Sequence, residues 1–234
     1  MNKDRLRISP EDFQVRFQEI IEKKKGVVLW TVSNCGDRWS PALGQRLRVS
    51  QDLIDAGLYI ERKGLCFGGR DDSYKPVDYK FYLSFENQLH CKDYITEKLW
   101  KNAYDNDAVP IVWGATKADY EAAAPPNSFI FAEDFTPQEL ADYIHYLDKN
   151  DTAYAEYFKW RTLRPQDMSM YGRECWFCQI CRILHGVNVD NIYNPNYESK
   201  YKDIPLLGYP ERPRVVPSLS ERFYGTENED CIAD

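Results

Sequence analysis

Three chemically distinct side chains meet in the stretch FENQLHCKDYITEKLW, residues 85–100. Tyr94, Glu97 and Lys98 stand where a polar loop leads into a predicted helix. The free N–H groups of a helix start, together with the Lys98 ammonium, would attract a phosphate. A carboxylate beside phosphates repels them unless it faces a neutral polyol, and the vicinal hydroxyls of a ribose would satisfy Glu97. The stretch therefore suggests a nucleotide site, and the alternative is that the two charges only solvate a surface helix.

The elements around this stretch alternate between short apolar runs and amphipathic segments. Apolar runs bounded by turn residues predict buried strands at 26–34, 58–64, 79–87, 108–114 and 127–135. Apolar residues at helical spacing predict helices at 10–25, 43–56, 94–106 (with Asp93 as a candidate cap) and 136–150. This alternation predicts an α/β fold with a Rossmann-type parallel sheet flanked by helices. Ligands of such sheets lie beyond the carboxyl ends of the strands, which is where residues 85–100 fall.

Composition narrows the class of partner. The 234-residue chain has a net charge of −7 and no long basic run, so a nucleic-acid backbone is a poor candidate ligand. No run of 18 apolar residues occurs, and the first residues lack the apolar core of a signal peptide. Tyr, Trp and Phe make up 15% of the chain, which suits clefts that hold sugars or bases as well as ordinary cores.

Cysteine usage points to an oxidising compartment, with free thiols or a metal as the alternative. The seven cysteines show no paired CxxC motifs at zinc spacing, and the odd count leaves at least one unpaired within the chain. The sequon at Asn150 fits a secretory location. The triplet Asp105-Asn106-Asp107 resembles a metal-binding DxD, but turn residues of this kind are common between a helix and a strand. No metal site is predicted. The cluster CWFCQIC at 175–181 is interpreted as a local disulfide and core cap, with a redox centre as the alternative, since no thioredoxin-like strand precedes it.

A longer segment carries a family resemblance. Residues 79–135 read YKFYLSFENQLHCKDYITEKLWKNAYDNDAVPIVWGATKADYEAAAPPNSFIFAEDF. This segment resembles the donor-binding core of the α-1,3-fucosyltransferases, glycosyltransferase family 10, whose pattern is close to YKFxLxFENSxxxDYITEKLWxNAxxxxAVPVVxGxxxxNYExxxPxxSFIxxxDF. The resemblance extends to VVLWTVSNCG at 27–36, to LDKNDTAYAEYFKWR at 147–161 and to the CxxC at 178–181.

The resemblance implies transfer of L-fucose from GDP-fucose to an N-acetylglucosamine hydroxyl of a glycan or glycoprotein, in α-1,3 linkage and with inversion. It also implies a GT-B enzyme of the Golgi lumen, held in the membrane by an anchor that this chain does not show. The family's donor site carries over to Asn87, Tyr94, Glu97 and Lys98. Glu97 is then the ribose partner and Lys98 a pyrophosphate partner. The CxxC implies a disulfide between Cys178 and Cys181.

An arginine shortly after the SN motif also grips the pyrophosphate in this family. The match loosens here, since the linker DRWSPALGQRLRVSQDL is longer than usual. Arg46 is our choice, with Arg48 and Arg38 as rivals. Positive charge from Lys98 and Arg46 would let GDP leave without an obligatory metal, although a divalent ion such as Mn²⁺ could stimulate the reaction.

The predicted organisation has three parts: a helical lead-in at 1–26, a GDP-fucose-binding Rossmann-like domain at 27–186 and an irregular extension at 187–234. The family's acceptor-binding domain, with the glutamate thought to act as base, does not precede VVLWTVSN. The catalytic base is therefore expected outside this chain. Two functions follow as hypotheses: the donor-binding part of a fucosyltransferase, or a nucleotide-sugar-binding or regulatory fragment without its acceptor domain.

Overall fold

A computed structural model of the chain describes residues 8–35, 41–69, 74–91 and 94–163, with only the backbone at 41–43. Within these residues, five parallel strands form one sheet in the order β2-β1-β3-β4-β5. Their bounds are Gly26–Thr31 for β1, Ile60–Lys63 for β2, Tyr79–Phe85 for β3, Val109–Trp113 for β4 and Ile130–Phe131 for β5. The predicted α/β fold with a parallel sheet is confirmed.

Helices cover both faces of the sheet. The α-helices among the described residues are α1 (Phe13–Ile21), α2 (Pro41–Asp55), α3 (Lys117–Ala123), α4 (Pro137–Lys149) and α5 (Asp151–Ala155). On one face, alternate strand residues such as Trp30 and Phe85 pack against α1, α4 and the segment after α5. On the other face, Leu29, Tyr82 and Val112 pack under short helices. Because successive strand residues point to opposite faces, the apolar runs fill both layers.

Local signals explain the helix starts. Thr136 caps α4 by accepting a hydrogen bond from the Glu139 backbone N–H, and the Glu139 carboxylate accepts from the Thr136 N–H. This is the capping box that TPQE predicts. A second capping box, between Thr116 and Asp119, begins α3. α3 was not predicted from the sequence, although Thr116 followed by Asp119 is a helix start signal.

The element after β3 differs from its prediction. Instead of a helix from residue 94, the chain forms a six-residue π-helix at Lys98–Ala103, followed by a 3-10 turn at Tyr104–Asn106. Asp93, the candidate cap, lies outside the described residues, and Glu97 is the N-cap residue. The π-helix packs Leu99 and Ala103 beneath the sheet. π-Helical turns are rare and are often found at functional sites.

The strand order creates a switch point between β1 and β3, since the chain proceeds from β1 to one side of the sheet and from β3 to the other. A crevice for ligands forms at such a point, outside the carboxyl ends of the two strands. A disulfide between Cys35 and Cys66 ties the segment after β1 to the segment after β2 at this same edge. In the described part of the chain, no helix is both long and apolar enough to cross a membrane.

Candidate functional site

The predicted site residues after β3 converge at its carboxyl end, next to the switch point. Asn87 follows β3 directly, and the Tyr94 hydroxyl donates a hydrogen bond of 2.7 Å to the Asn87 side-chain oxygen. Burial, reinforced by the carboxylates of Glu86 and Glu97, raises the pKa of Tyr94. Tyr94 therefore keeps its proton at neutral pH, and its hydroxyl donates to Asn87 across the loop between them.

Glu97 and Lys98 lie side by side but in different environments. The Glu97 side chain is 62% exposed and its carboxylate lies 3.7 Å from the Lys98 ammonium. The Lys98 side chain is only 15% exposed. Glu97 is therefore open to a ligand, whereas most of the Lys98 side chain is buried against the protein.

Two protein groups take most of the hydrogen-bonding capacity of Lys98. Its ammonium donates to Glu86 Oε2 at 2.8 Å and to Thr96 Oγ1 at 2.7 Å. An ammonium has three N–H donors, so one remains for a ligand. Lys98 is thus already oriented before any ligand arrives.

Glu86 is the residue that sequence reasoning missed. Its side chain is 1% exposed, and besides Lys98 it accepts hydrogen bonds from the backbone N–H and the hydroxyl of Thr96. A signal was readable: Glu86 directly follows the buried strand β3, at a spacing of two from Ser84, so both share the face under the π-helix. A carboxylate at such a position needs buried partners.

The structure corrects the helix-terminus argument for phosphate binding. The π-helix has only six residues, and the Thr96 N–H at its start donates to the chain's own Glu86 at 2.9 Å. That N–H is therefore satisfied internally. This N–H is therefore not available to a phosphate, whereas the Lys98 ammonium supplies a full positive charge at this edge.

Arg46 lies beneath the site at the switch point. Its side chain is nearly fully buried, and its guanidinium donates to the backbone oxygens of Asn34 at 2.5 Å and Phe85 at 3.4 Å. Arg46 therefore links the segment after β1 to the last residue of β3. Burial lowers the pKa of Arg46, and Glu86 and Tyr94 oppose that shift. Its Nε has no hydrogen-bond partner.

The two rival arginines are placed differently. Arg48 is exposed on α2 and lines a cavity of about 460 Å³ beside the site, together with Leu89, His90, Trp113 and Glu133. Arg38 lies outside the described residues. Of the arginines described in this region, Arg46 is therefore the one that contacts β3 next to Glu86, the partner of Lys98.

The remaining predicted sites fall elsewhere. Asn150 caps α5 by accepting from the Ala153 N–H, and its side-chain nitrogen donates to the Tyr146 hydroxyl. Cys178 and Cys181 lie outside the described residues. The disulfide between Cys35 and Cys66 joins two cysteines whose pairing the sequence left open.

The DxD triplet lies at the opposite edge of the sheet. Asp107, at a left-handed backbone position, pairs with Arg161 at 2.7 Å. Across the described ranges, no group of three or more His, Cys, Asp or Glu side chains could hold a metal ion. The triplet serves as a turn and as an ion-pair partner.

Comparison with known proteins identifies the sequence family. The profile described as "Glycosyltransferase family 10 (fucosyltransferase) C-term" matches residues 21–199. The human 4-galactosyl-N-acetylglucosaminide 3-alpha-L-fucosyltransferase FUT6 is 41% identical over 174 residues, covering 68% of this chain and 45% of the relative. The human 3-galactosyl-N-acetylglucosaminide 4-alpha-L-fucosyltransferase FUT3 is also 41% identical over 174 residues, covering 68% of this chain and 44% of the relative. The chain thus spans less than half the length of these curated relatives.

A solved structure shares the fold. The crystal structure of an alpha1,3-fucosyltransferase with GDP-fucose matches with a TM-score of 0.55 and 23% identity, covering 75% of this chain and 53% of the other. At this identity the likeness concerns the fold alone. The profile match over residues 21–199, which is more than half of the chain, shows that this chain belongs to glycosyltransferase family 10, the fucosyltransferases.

Proposed function

We propose that this protein transfers L-fucose from GDP-fucose to an N-acetylglucosamine residue of a glycan in α-1,3 linkage, with inversion, and that the chain supplies the donor-binding part. The observation that carries this proposal is the convergence of Asn87, Tyr94, Glu97 and Lys98 at the carboxyl end of β3, beside the switch point. The relatives FUT6 and FUT3 are fucosyltransferases of N-acetylglucosaminides, which favours the transferase over the regulatory fragment.

Each side chain has a proposed role that its environment supports. The exposed Glu97 carboxylate accepts from the ribose hydroxyls. The remaining N–H of Lys98 binds the diphosphate. Asn87 and Tyr94, joined by their hydrogen bond, form a polar wall of the pocket. Arg46 adds positive charge from below and fixes the crevice between β1 and β3.

Departure of GDP places negative charge on the diphosphate, and a pre-oriented ammonium stabilises that charge as it develops. Lys98, with Arg46 behind it, supplies this charge in our proposal, so a divalent ion such as Mn²⁺ stimulates the reaction without being obligatory. The acceptor hydroxyl needs a base on the face of the sugar opposite GDP. We assign no residue of this chain to that role.

We further propose a location in the Golgi lumen. The disulfide between Cys35 and Cys66 supports it, since such bonds persist in oxidising compartments. Occupancy of the Asn150 sequon by a glycan, detected by a mass shift on deglycosylation, would support the same location. Cys35 and Cys66 found reduced in protein from its native cells would contradict it.

The donor site is tested by calorimetric titration of the purified chain with GDP and GDP-fucose. Lys98→Met keeps the aliphatic stem and removes the ammonium, so GDP affinity should fall about 10- to 100-fold, the range for a charge-assisted hydrogen bond. Lys25→Met, at an exposed lysine on the opposite edge of the sheet, is the matched control and should bind like the parent. A folded parent that does not bind GDP, or a Lys98→Met variant that binds it unchanged, would refute the assignment.

The same titrations test the proposed contact between Glu97 and the ribose hydroxyls. Glu97→Gln should weaken GDP by about tenfold through loss of the charged acceptor. The same variant should bind 2′,3′-dideoxy-GDP as the parent does, since that ligand lacks the two hydroxyls. An equal loss for both ligands would remove Glu97 from the ribose site.

A further inference from the structure

We propose that Glu86 is the positioning residue of this site, fixing the Lys98 ammonium for the diphosphate. The inference rests on the proposed function, since Lys98 is the diphosphate partner there. Glu86 itself does not reach a ligand, because its side chain is 1% exposed. It acts through Lys98.

β3 holds Lys98 at both ends. The Ser84 hydroxyl donates to the Lys98 backbone oxygen at 3.1 Å, and Glu86 binds the ammonium at 2.8 Å. Ser84 and Glu86 are two residues apart, so they lie on one face of the strand, under the π-helix. A long, flexible side chain is thus anchored at its root and at its tip.

Glu86 is itself immobile. Its backbone N–H donates to the Trp113 oxygen at 2.9 Å, and Gly114 lies so close that a Cβ there would fall 2.7 Å from Glu86 Cβ. Gly114 has a φ of +119°, a conformation that side-chain-bearing residues rarely adopt. A glycine directly after β4 therefore allows the segment after β3 to approach closely at this point.

Thr96 completes the arrangement. Its N–H and hydroxyl both donate to the Glu86 carboxylate, and the hydroxyl oxygen accepts from Lys98. The Glu86 carboxylate thus accepts hydrogen bonds from Thr96 and Lys98, and the Lys98 ammonium donates to Glu86 and Thr96. What remains free is one N–H of Lys98, with a direction set by the other two.

Holding the lysine in advance benefits binding. A free lysine loses considerable rotamer entropy when it orders around a ligand. An ammonium already fixed by Glu86 and Thr96 avoids that loss at the moment of binding. Glu86 thus contributes to diphosphate affinity even though its charge opposes that of the ligand.

The competing explanation is that the ion pair serves folding only. Glu86→Gln distinguishes the two, because glutamine keeps the size and one acceptor for Thr96 but loses the charge that holds Lys98. We expect GDP affinity, measured by calorimetry, to fall about tenfold. Guanosine, which lacks the diphosphate and is followed by ligand-observed NMR, should bind unchanged. In the Lys98→Met background, Glu86→Gln should cause no further loss of GDP affinity.

A second readout needs no nucleotide. Lys98 should react slowly with acetic anhydride in the parent, because two partners hold its ammonium, and faster in Glu86→Gln; mass spectrometry measures both rates. Thr96→Val, which removes one partner of each group, gives a smaller change in the same direction and serves if Glu86→Gln does not fold. Asp134→Asn, which unpairs the exposed Lys117, is the matched control and should leave Lys98 labelling and GDP affinity unchanged.

Equal losses for GDP and guanosine, an undiminished effect in the Lys98→Met background, or unchanged or tighter GDP binding in Glu86→Gln would overturn the positioning role. Unchanged Lys98 labelling in both Glu86→Gln and Thr96→Val would overturn it as well. A parent that binds neither ligand would instead refute the proposed function, and the labelling rates alone would then decide whether Glu86 holds Lys98.

Discussion

The two edges of the sheet each contain an ion pair with a strongly buried member, and the two pairs serve different ends. At the carboxyl edge, Lys98 meets Glu86 at 2.8 Å; at the amino edge, Arg161 meets Asp107 at 2.7 Å. The chemistry is the same and the distances nearly so. What differs is the surroundings of each cation.

Arg161 is sealed. Its side chain is 3% exposed, its guanidinium lies over the rings of Phe158 and Trp160, and it also donates to the Tyr104 backbone oxygen. Lys98 is 15% exposed and has the open carboxylate of Glu97 beside it. An ion pair covered by aromatic rings stabilises the fold, whereas one whose lysine stays partly exposed retains a donor for a ligand.

The largest loss of stability is expected when the buried pair between Arg161 and Asp107 is broken. Arg161→Met should destabilise the protein by about 3–5 kcal/mol, because it leaves the Asp107 carboxylate largely buried without its partner. Chemical denaturation measures the loss. Arg16→Met, at an exposed pair with Glu19, is the matched control and should leave the midpoint unchanged.

Adding Asp107→Asn to Arg161→Met tests whether the buried, unpaired carboxylate causes that loss. Asparagine tolerates the left-handed conformation at this position and carries no charge, so part of the lost stability should return. The folded fraction of either variant should bind GDP like the parent. A selective loss of GDP affinity would show that the amino edge also shapes the site.

The second effect concerns Lys24, at the amino edge. Its ammonium donates to the backbone oxygens of Val77 and Asn106, and burial lowers the pKa of Lys24 to about 7. Between that value and the usual 10.5, the unfolded chain binds a proton that the folded chain does not. Stability should therefore rise with pH above about 7, by up to about 1.4 kcal/mol per pH unit from this group. Below pH 7 both states hold the proton and the contribution is constant.

Denaturation midpoints of the parent and Lys24→Met, measured from pH 7 to pH 9, isolate this slope, since other groups contribute equally to both proteins. Lys25→Met removes a neighbouring exposed lysine and should keep the slope of the parent. If Lys24→Met and the parent have parallel pH profiles, the burial of Lys24 does not control its protonation.

The smallest change in stability is expected from Thr116, which lies at the carboxyl edge but away from Asn87, Tyr94, Glu97 and Lys98. Thr116→Ala removes the cap of α3 and should cost about 1 kcal/mol of stability. Thr116→Ser retains the hydroxyl and should cost less. GDP affinity should be unchanged in both, and a fall in Thr116→Ala would extend the site towards β4.

Much of the architecture could be predicted from local pattern. Buried apolar runs indicated all five described strands, and the TPQE signal located the start of α4. The segment at 94–106 was misread because its apolar spacing suits any helical winding. The π-helix begins where the Ser84 hydroxyl of β3 donates to the Lys98 backbone oxygen. A tertiary contact of this kind produces no periodic pattern in the sequence.

The sequence by itself placed Tyr94, Glu97 and Lys98 where a strand and a loop lead into a helical segment, and its resemblance to the α-1,3-fucosyltransferases added Asn87 to the predicted donor site. The tertiary structure decided how they work. Only the approach of β4 through Gly114, the burial of Glu86 and the turn of the π-helix bring a carboxylate under the Lys98 ammonium. That contact depends on distances between backbones that are neighbours in space and not along the chain, and such distances are set by packing.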